Sequence, residues 1–392
     1  MTLLLHPRLL LLLLAVVLAG PATAQTADDL YRLGQREPAI GARMTAMGGA
    51  AAAGLGDWTA AFANPAGLAY LRSRQAIAAA HAFTRETDGT RGRRSSGEAE
   101  AATLSALGFA APLPVARGAL AFGGGYQETA TYARVVSDGR FPSLQEEGWQ
   151  GEASLAGAVA LTPRLMGGLS VNAPVGRYRR EGADPNAPRD AAPWFDAELA
   201  GVNVRGGLSL ALDYGVRLGL TVETPTYLRV EQVGRVWTDD VVPPRDVALV
   251  TPWRVALGFL AGSETLLVTA DVEVVDWSQA RFDTDGDADL VRENAFAEAL
   301  FRTVLNSRVG GEARLGAVAL RVGAAFQPDP RFDGPVPEAV RQQYALGVGV
   351  QLHPQARLDL AFTHTRDEDA FVPLDGVVGR RNALQVGLDL RF

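Results

Sequence analysis

The chain has 392 residues, no cysteine, a net charge of −7 and a pI near 5.3. The lack of cysteine excludes disulfide scaffolds and thiolate metal sites, and the acidic balance argues against nucleic acid as a partner, because no basic stripe is present to neutralise phosphates. Hydrophobic residues make up 47%, yet after Leu18 no stretch approaches eighteen unbroken apolar residues, so a membrane role would need strands.

The first residues form an export signal. His6 and Arg8 make a short basic region, an apolar run extends from Leu9 to Leu18, and A-T-A before Gln25 fits an A-x-A cleavage site. The run is too short for a spanning helix, and no cysteine follows it to carry a lipid anchor. We predict a cleaved signal peptide at residues 1–24.

Residues 25–73 differ in composition from the rest of the chain. A polar lead with a predicted helical turn at residues 28–33 is followed, from Gly41 to Leu71, by a stretch dense in glycine and alanine and nearly free of charge. Such a backbone can pack closely in a confined space, which favours a plug. A small helix-rich cap or a flexible linker fits the same composition, so these alternatives stay open.

The residues after 74 read as about fourteen strands joined by connections of alternating length. Short connections, such as residues 162–163 and 353–355, contain proline or other turn-forming residues. Long connections, such as residues 132–148 and 278–300, follow the other strand ends. Strict alternation places all the long loops at one end, which is typical of outer-membrane barrels.

Side chains alternate along these strands, most clearly in the last ten residues, A-L-Q-V-G-L-D-L-R-F. One face is hydrocarbon and the other is small or polar: Leu384, Val386, Leu388, Leu390 and Phe392 against Ala383, Gln385, Gly387, Asp389 and Arg391. The contrast recurs at residues 216–223, 253–259, 266–274 and 358–362, and further charges fall on the predicted inner face: Arg308, Glu312, Arg314 and Arg321. A half-buried sheet in a soluble protein shows the same alternation. We therefore infer membrane strands from the repetition of the pattern along many segments of the chain.

A sheet that spans a membrane must close, because lipid offers no partner for an open edge. We therefore predict an all-β membrane protein, a closed antiparallel β-barrel of about 14 strands over residues 74–392, with residues 25–73 as an N-terminal hatch in its lumen. Pro174 removes a ladder donor from one predicted strand, which indicates a kink, a bulge or a local gap there, unless the strand is shorter than residues 164–178.

Several short motifs point to a known family: G-A-R-M-T-A-M-G-G-A from Gly41 to Ala50, N-P-A-G from Asn64 to Gly67, T-P-W-R at residues 251–254, D-W-S at residues 276–278 and the terminal Phe392. Together they resemble the FadL/TodX group of outer-membrane transporters for long-chain fatty acids and other hydrophobic compounds. The resemblance implies a fourteen-stranded barrel with an internal hatch, and it assigns the hatch and its gating to six residues: Gly48, Gly49, Asn64, Pro65, Ala66 and Gly67. It also implies a lateral exit at an irregular strand, for which Pro174 is the candidate, and recognition of Phe392 by the barrel assembly machinery.

The function expected from this resemblance is passive uptake of hydrophobic small molecules such as long-chain fatty acids, gated by the hatch, in the cell outer membrane. Its partners would be outer-membrane lipid and the hydrophobic ligand. A branch with the same architecture, the PorV-like proteins, receives or shuttles secreted proteins instead of transporting small molecules. The motifs are shared by both branches, so this alternative stays open.

An acidic loop is the one candidate metal site. Carboxylates alternate at Asp283, Asp285, Asp287 and Asp289 and could chelate calcium, but the spacing departs from an EF-hand, which favours a solvated acidic loop. A short helix is expected over residues 290–305, where Phe296, Leu300 and Phe301 would offer a greasy surface to ligand or pack against other loops.

No catalytic motif is present. His81, His353 and His364 are scattered, with no H-E-x-x-H pair, G-x-S-x-G elbow or P-loop. We therefore predict that the protein is not an enzyme and needs no cofactor.

Overall fold

The computed structural model describes residues 26–37, 40–89, 96–136, 143–183, 194–235, 241–331, 339–369 and 377–392. The predicted signal peptide lies outside these residues. The described chain contains three α-helices: α1 (Ala27–Gly34), α2 (Gly41–Ala46) and α3 (Ala288–Leu300). Short 3-10 helices occur at Trp58–Ala61, Pro65–Tyr70, Asp213–Gly215 and Trp277–Gln279. In the part of the chain that the structure describes, no helix combines the length and the apolar character needed to cross a membrane.

Most of the remaining described residues form one antiparallel sheet of eighteen segments. In chain order they are β1 (Gln75–Gly89), β2 (Ser96–Leu113), β3 (Leu120–Thr131), β4 (Arg134–Val136), β5 (Ser143–Ala160), β6 (Leu165–Ala183), β7 (Trp194–Ala211), β8 (Val216–Glu223), β9 (Tyr227–Arg235), β10 (Val241–Val250), β11 (Arg254–Gly262), β12 (Leu266–Asp276), β13 (Arg281–Phe282), β14 (Thr303–Leu315), β15 (Val318–Pro328), β16 (Val340–His353), β17 (Ala356–Asp369) and β18 (Val377–Arg391).

These segments build a closed barrel of fourteen strands. Four barrel strands each consist of two segments in line, namely β3–β4, β8–β9, β10–β11 and β12–β13. The first strand pairs with the last along their whole lengths, from Gln75 opposite Arg391 to Gly89 opposite Val377. This ladder closes the sheet and satisfies the backbone groups that an edge would leave unpaired in lipid. The predicted closed antiparallel barrel of about fourteen strands is confirmed.

Proline accounts for two of the interruptions within barrel strands. β8 and β9 are separated around Pro225, and β10 and β11 around Pro252, because proline has no N–H to donate to a ladder. Pro174, in contrast, lies within β6, which runs through it without a break and pairs it with Glu152 of β5. Only the ladder toward β7 is incomplete at this point, since it skips Ala173 and Pro174.

Around the short-turn half of the barrel, the two faces are those that the sequence predicts. Leu257 is 58% exposed on the outer face, whereas its neighbour Ala256 is 5% exposed on the inner face. The terminal strand follows the same rule, with Leu388 exposed and Asp389 buried. An apolar outer surface of this kind suits contact with lipid hydrocarbon.

Toward the long-loop end the strands continue further than predicted. There the apolar side chains face the bore and the polar side chains face outward. β5 begins at Ser143 and β6 ends at Ala183, where the sequence analysis expected loops. In β9, Leu228 and Val230 face inward and are buried, while Arg229 and Glu231 point outward and are exposed. A wall that is polar outside and apolar inside suits water around it, so we place this part of the barrel above the membrane surface.

The described N-terminal residues lie inside the barrel. α2 packs against β15 to β18, and the 3-10 helix Pro65–Tyr70 packs against β5, β6 and β7 on the opposite wall. α1 lies nearer the long loops and contacts α3. Contact with opposite walls places this segment across the bore, which is the position expected for a hatch.

Candidate functional site

The hatch body, defined here as residues 40–71, is fitted to the wall through glycines. Eight strand glycines face it so closely that an added Cβ would lie 2.0–2.8 Å from a hatch atom; we call them the glycine collar: Gly108, Gly168, Gly207, Gly219, Gly258, Gly310, Gly323 and Gly347. Real Cβ atoms do not approach other atoms closer than 3.0 Å. At five of the eight the nearest hatch atom is a backbone atom, so the hatch backbone lies directly on the strand backbone there. At Gly108, Gly207 and Gly347 the space is taken by the side chains of Trp58, Asn64 and Ala46.

Gly48 and Gly49, two of the predicted hatch residues, form the turn that follows α2. Both have positive φ, +67° and +79°, which glycine adopts without strain. A Cβ on Gly48 would lie 2.6 Å from the carbonyl oxygen of Ala324 and 2.8 Å from that of Val309. The turn is pressed against β14 and β15, so conformation and space both require glycine at position 48.

The N-P-A-G motif fastens the opposite side of the hatch. The side-chain Oδ1 of Asn64 accepts a hydrogen bond from the Ala66 N–H at 3.1 Å and caps a 3-10 helix whose first residue is Pro65. Its amide Nδ2 donates to the carbonyl oxygens of Ala52, at 2.5 Å, and Leu208, at 3.0 Å. The structure thus brings the four motif residues together, with Asn64 joining hatch to wall.

Ion pairs form the second attachment of the hatch body. Arg43 of α2 donates to Glu312 of β14 at 2.8 Å and also pairs with Asp57. Glu312 in turn pairs with Arg321, which reaches Asp359 at 2.7 Å. All five side chains are buried, so removing one partner leaves charge uncompensated in a site with little water.

The electrostatic surroundings of Asp57 favour its charged form. Burial acts to raise the pKa of this carboxyl, but the Arg43 guanidinium and the donors of Thr59 together hold it below its usual range. Asp271 of β12 adds an anchor of another kind, because its carboxylate accepts from the backbone N–H groups of Ala51 and Ala52 at 2.6 and 2.9 Å. Arg43, Asp57 and Asp271 are anchoring residues that no sequence motif marks as such.

A cavity of about 110 Å³, lined by both charged and apolar side chains, separates the hatch body from part of the wall. Arg36 spans it and pairs with Glu152 at 3.1 Å and Glu223 at 3.0 Å, and Arg205 of β7 contacts the same two carboxylates. These buried charges are paired with one another, and a hydrocarbon in the cavity would lie beside them without a polar contact of its own.

The inner wall above this cavity is apolar, in contrast to the charged inner face that the sequence analysis expected throughout. We call this region the chamber. Its wall consists of buried side chains from β6 to β14 and the adjoining loops: Tyr178, Phe195, Leu199, Leu228, Val230, Leu249, Val275, Trp277, Phe282, Phe301 and Val304. The expectation was wrong here because it extended the membrane pattern to strands that stand in water.

α1 occupies the chamber. Ala27, Leu30 and Leu33 are buried to 1% exposure or less against its wall. Tyr31 packs edge-on to Trp277, with ring centroids 5.0 Å apart. The other face of α1 carries charge, and Arg32 lies 3.3 Å from Glu146 of β5. The amphipathic helix thus matches an apolar wall on one side and polar groups on the other.

The acidic loop does not bring its four carboxylates together. Asp287 caps α3 by accepting from the N–H groups of Asp289 and Leu290, at 2.8 and 3.2 Å, and Asp289 pairs with Arg292. Among the described residues, which include this whole loop, no group of three or more His, Asp or Glu side chains is arranged to hold a metal ion. In the structure Asp287 caps a helix and Asp289 forms a surface ion pair, and calcium binding by Asp283, Asp285, Asp287 and Asp289 stays a prediction.

α3 itself is confirmed as a helix in the long loop, although its hydrophobic residues divide between two roles. Phe301, just beyond its end, is buried in the chamber wall, and Leu300 packs against the same cluster. Phe296 is 57% exposed. Of the three predicted capture residues, only Phe296 is open to solvent.

These features define a closed β-barrel of the outer-membrane type whose bore holds its own N-terminal segment. Solved structures with this architecture match nearly the whole chain. A crystal structure of a Pseudomonas aeruginosa FadL homologue aligns with 92% of this chain and 100% of that one, at 13% identity and a TM-score of 0.66.

Two toluene transporters, TodX of Pseudomonas putida and TbuX of Ralstonia pickettii, each align with 91% of this chain and 99% of their own. Their identities are 13% and 16%, with TM-scores of 0.62. No family model and no curated protein sequence matches the chain. At such identities the likeness establishes the fold, and the chain has the fold of the FadL/TodX channels, as the motifs predict.

Proposed function

We propose that this protein is an outer-membrane channel for the passive uptake of hydrophobic small molecules, with long-chain fatty acids among the candidate ligands. The observation that carries the proposal is the chamber. A water-filled pore has a polar inner face, whereas here the inner wall above the membrane is built from aliphatic and aromatic side chains such as Leu228, Val230 and Phe282. A surface of this kind gains free energy by burying hydrocarbon, at roughly 25 cal/mol per Å².

The matched structures support the same cargo class, because they include toluene transporters and a monoaromatic hydrocarbon channel. The position of the chamber adds to this support. It lies toward the long-loop end, where α1 contacts α3, so a ligand arriving from outside would reach this part of the bore before the hatch body.

Passage through the bore requires a rearrangement of the N-terminal segment, which makes it the gate in this proposal. The cavity beneath the chamber is about 110 Å³, and the hatch body lies against the glycine collar. Gating by Gly48, Gly49 and the N-P-A-G motif, and a lateral exit near Pro174, remain predictions from the family resemblance.

Uptake by cells tests the proposal. Host cells lacking a transporter of this class would express the intact gene, Leu228→Met or Leu228→Asn, and the entry of radiolabelled oleate and toluene would be followed. Leu228 is 1% exposed in the chamber wall. Methionine keeps the wall apolar, whereas asparagine places an unpartnered amide in it, so we expect near-normal uptake for the first and at least a threefold loss for the second.

Two results would count against an uptake channel. Uptake equal to that of cells without the gene is one, and equal uptake by the two Leu228 variants at matched membrane levels is the other. The secretion-shuttle role stays a prediction from the resemblance, tested by recovery of secreted proteins on the purified barrel.

A further inference from the structure

α1 is attached to the barrel differently from the hatch body that follows it. The hatch body lies on the collar backbone to backbone, as at Gly323, where a Cβ would come within 2.1 Å of the Gly48 nitrogen. α1 contacts the wall chiefly through side chains, with Leu30 and Leu33 buried in the chamber. Side-chain contacts can be exchanged for those of a ligand without moving a strand.

The ion pairs of α1 are also longer than those of the hatch body. Asp28 lies 3.5 Å from Arg331, Asp29 lies 3.9 Å from Arg180, and Arg32 lies 3.3 Å from Glu146. In the hatch body, Arg43 lies 2.8 Å from Glu312 of the wall and also pairs closely with Asp57. Longer pairs contribute less, and an isolated helix of eight residues is unstable in water, so α1 depends on its place in the chamber.

We propose that α1 is a built-in competitor for the ligand: it fills the hydrophobic binding site in the resting protein, and an uncharged hydrocarbon takes its place in the chamber. This inference rests on the proposed function. The binding site is then the chamber, and α1 closes it in the resting protein. α1 moves before the hatch body does.

The apolar face of α1 indicates the size of the ligand. Ala27, Leu30 and Leu33 together place about nine side-chain carbons against the wall, so the matching ligand is a monoaromatic ring or an alkyl chain of roughly that bulk. When α1 leaves it removes both acidic and basic groups, Asp28, Asp29 and Arg32. The wall keeps basic Arg180 and Arg331 and acidic Glu146 and Asp329. The surface that the apolar face of α1 covers is aliphatic and aromatic, and this surface favours an uncharged ligand.

The lack of cysteine allows a direct test, because a single introduced thiol can report whether α1 is in place. Ala27→Cys would be placed in α1 and Ala46→Cys in the hatch body, both at alanines exposed by 1% or less. Each protein in lipid nanodiscs would react with a water-soluble maleimide, alone and with toluene, nonane or nonanoate. Binding of radiolabelled toluene would be measured separately by equilibrium dialysis.

We expect toluene and nonane to accelerate labelling at Ala27→Cys at least fivefold and to leave Ala46→Cys within twofold of its basal rate. A second variant, Asp29→Asn with Arg32→Gln, loosens α1 and leaves every residue of the chamber wall unchanged. It should label faster at Ala27→Cys without ligand and bind toluene at least threefold more tightly, because apparent affinity rises with the fraction of open sites.

The outcomes separate this inference from the proposed function. Toluene binding with no change at Ala27→Cys would overturn the competitor role and leave the channel proposal standing. Parallel exposure of both thiols would overturn the separate movement of α1, and a response to nonanoate alone would overturn the uncharged ligand class. If neither the intact chain nor the loosened variant bound any hydrocarbon, the proposed function itself would fail.

Discussion

The close fit between hatch and wall can be tested by adding one methyl group on either face of β14. A Cβ on Gly310, which faces the bore, would lie 2.2 Å from the carbonyl oxygen of Met47, whereas ordinary contact begins at 3.4 Å. The hatch backbone would have to retreat by about 1.2 Å, and overpacking of this kind costs about 1–3 kcal/mol. On the outer face, a Cβ on Gly311 meets nothing closer than the Leu267 carbonyl oxygen at 3.6 Å.

We therefore expect Gly310→Ala to open the hatch more often than Gly311→Ala. With Ala46→Cys as the reporter in both backgrounds, a cost of 1–3 kcal/mol corresponds to labelling about 5- to 150-fold faster in Gly310→Ala. Gly311→Ala is the matched control, since it makes the same chemical change in the same strand. Labelling rates that agree within twofold would refute the idea that the glycine collar holds the hatch.

Three further predictions follow from other contacts. Arg43→Gln leaves Glu312 and Asp57 without their buried partner, so we expect about 3 kcal/mol less stability for the seated hatch, seen as faster Ala46→Cys labelling, with Arg43→Lys intermediate. Leu257→Arg turns a charge toward lipid and should cost about 2–4 kcal/mol in the unfolding of the barrel in urea, whereas Tyr214→Arg, on a fully exposed turn, should be neutral; equal costs would contradict the assigned membrane band. Asp287→Ala removes the cap of α3 and should cost that helix about 1 kcal/mol, measured as faster proteolysis of its loop, while Asp287→Asn should behave like the parent chain.

The existence of α1 could be predicted from the local sequence, but its position in the barrel could not. A helical turn at residues 28–33 was predictable from its spacing, and the structure has a helix there, Ala27–Gly34. Its location was not predictable, because an amphipathic turn fits a loop, a cap or a chamber equally well. The wall of Tyr178, Leu228 and Phe282 comes from strands far apart in the sequence, and only closure of the sheet brings these residues around α1.

The residues that anchor the hatch are also only partly recognisable from the sequence. Gly48 and Asn64 stand out in the sequence as parts of motifs, but the glycines that receive them, Gly310, Gly323 and Gly207, look like ordinary strand glycines. Arg43 lies within the motif at residues 41–50, but its anchoring role could not be predicted. Its partner Glu312 is distant in the sequence, and Asp57 belongs to no motif. A run of inward-facing glycines at one level of several strands is a signal that could have pointed to a tightly packed plug.

The sequence by itself determined the closed barrel, its lipid-facing surface and the alternation of short and long connections, because alternation and turn chemistry are local properties repeated along the chain. Only the tertiary structure decided that the upper bore is apolar, that α1 fills it, and that the acidic loop caps a helix instead of gathering its carboxylates. Each of these depends on which residues a closed sheet brings face to face. Period-two alternation marks two faces of a strand, but whether hydrocarbon or water lies against each face depends on where the strand stands relative to the membrane.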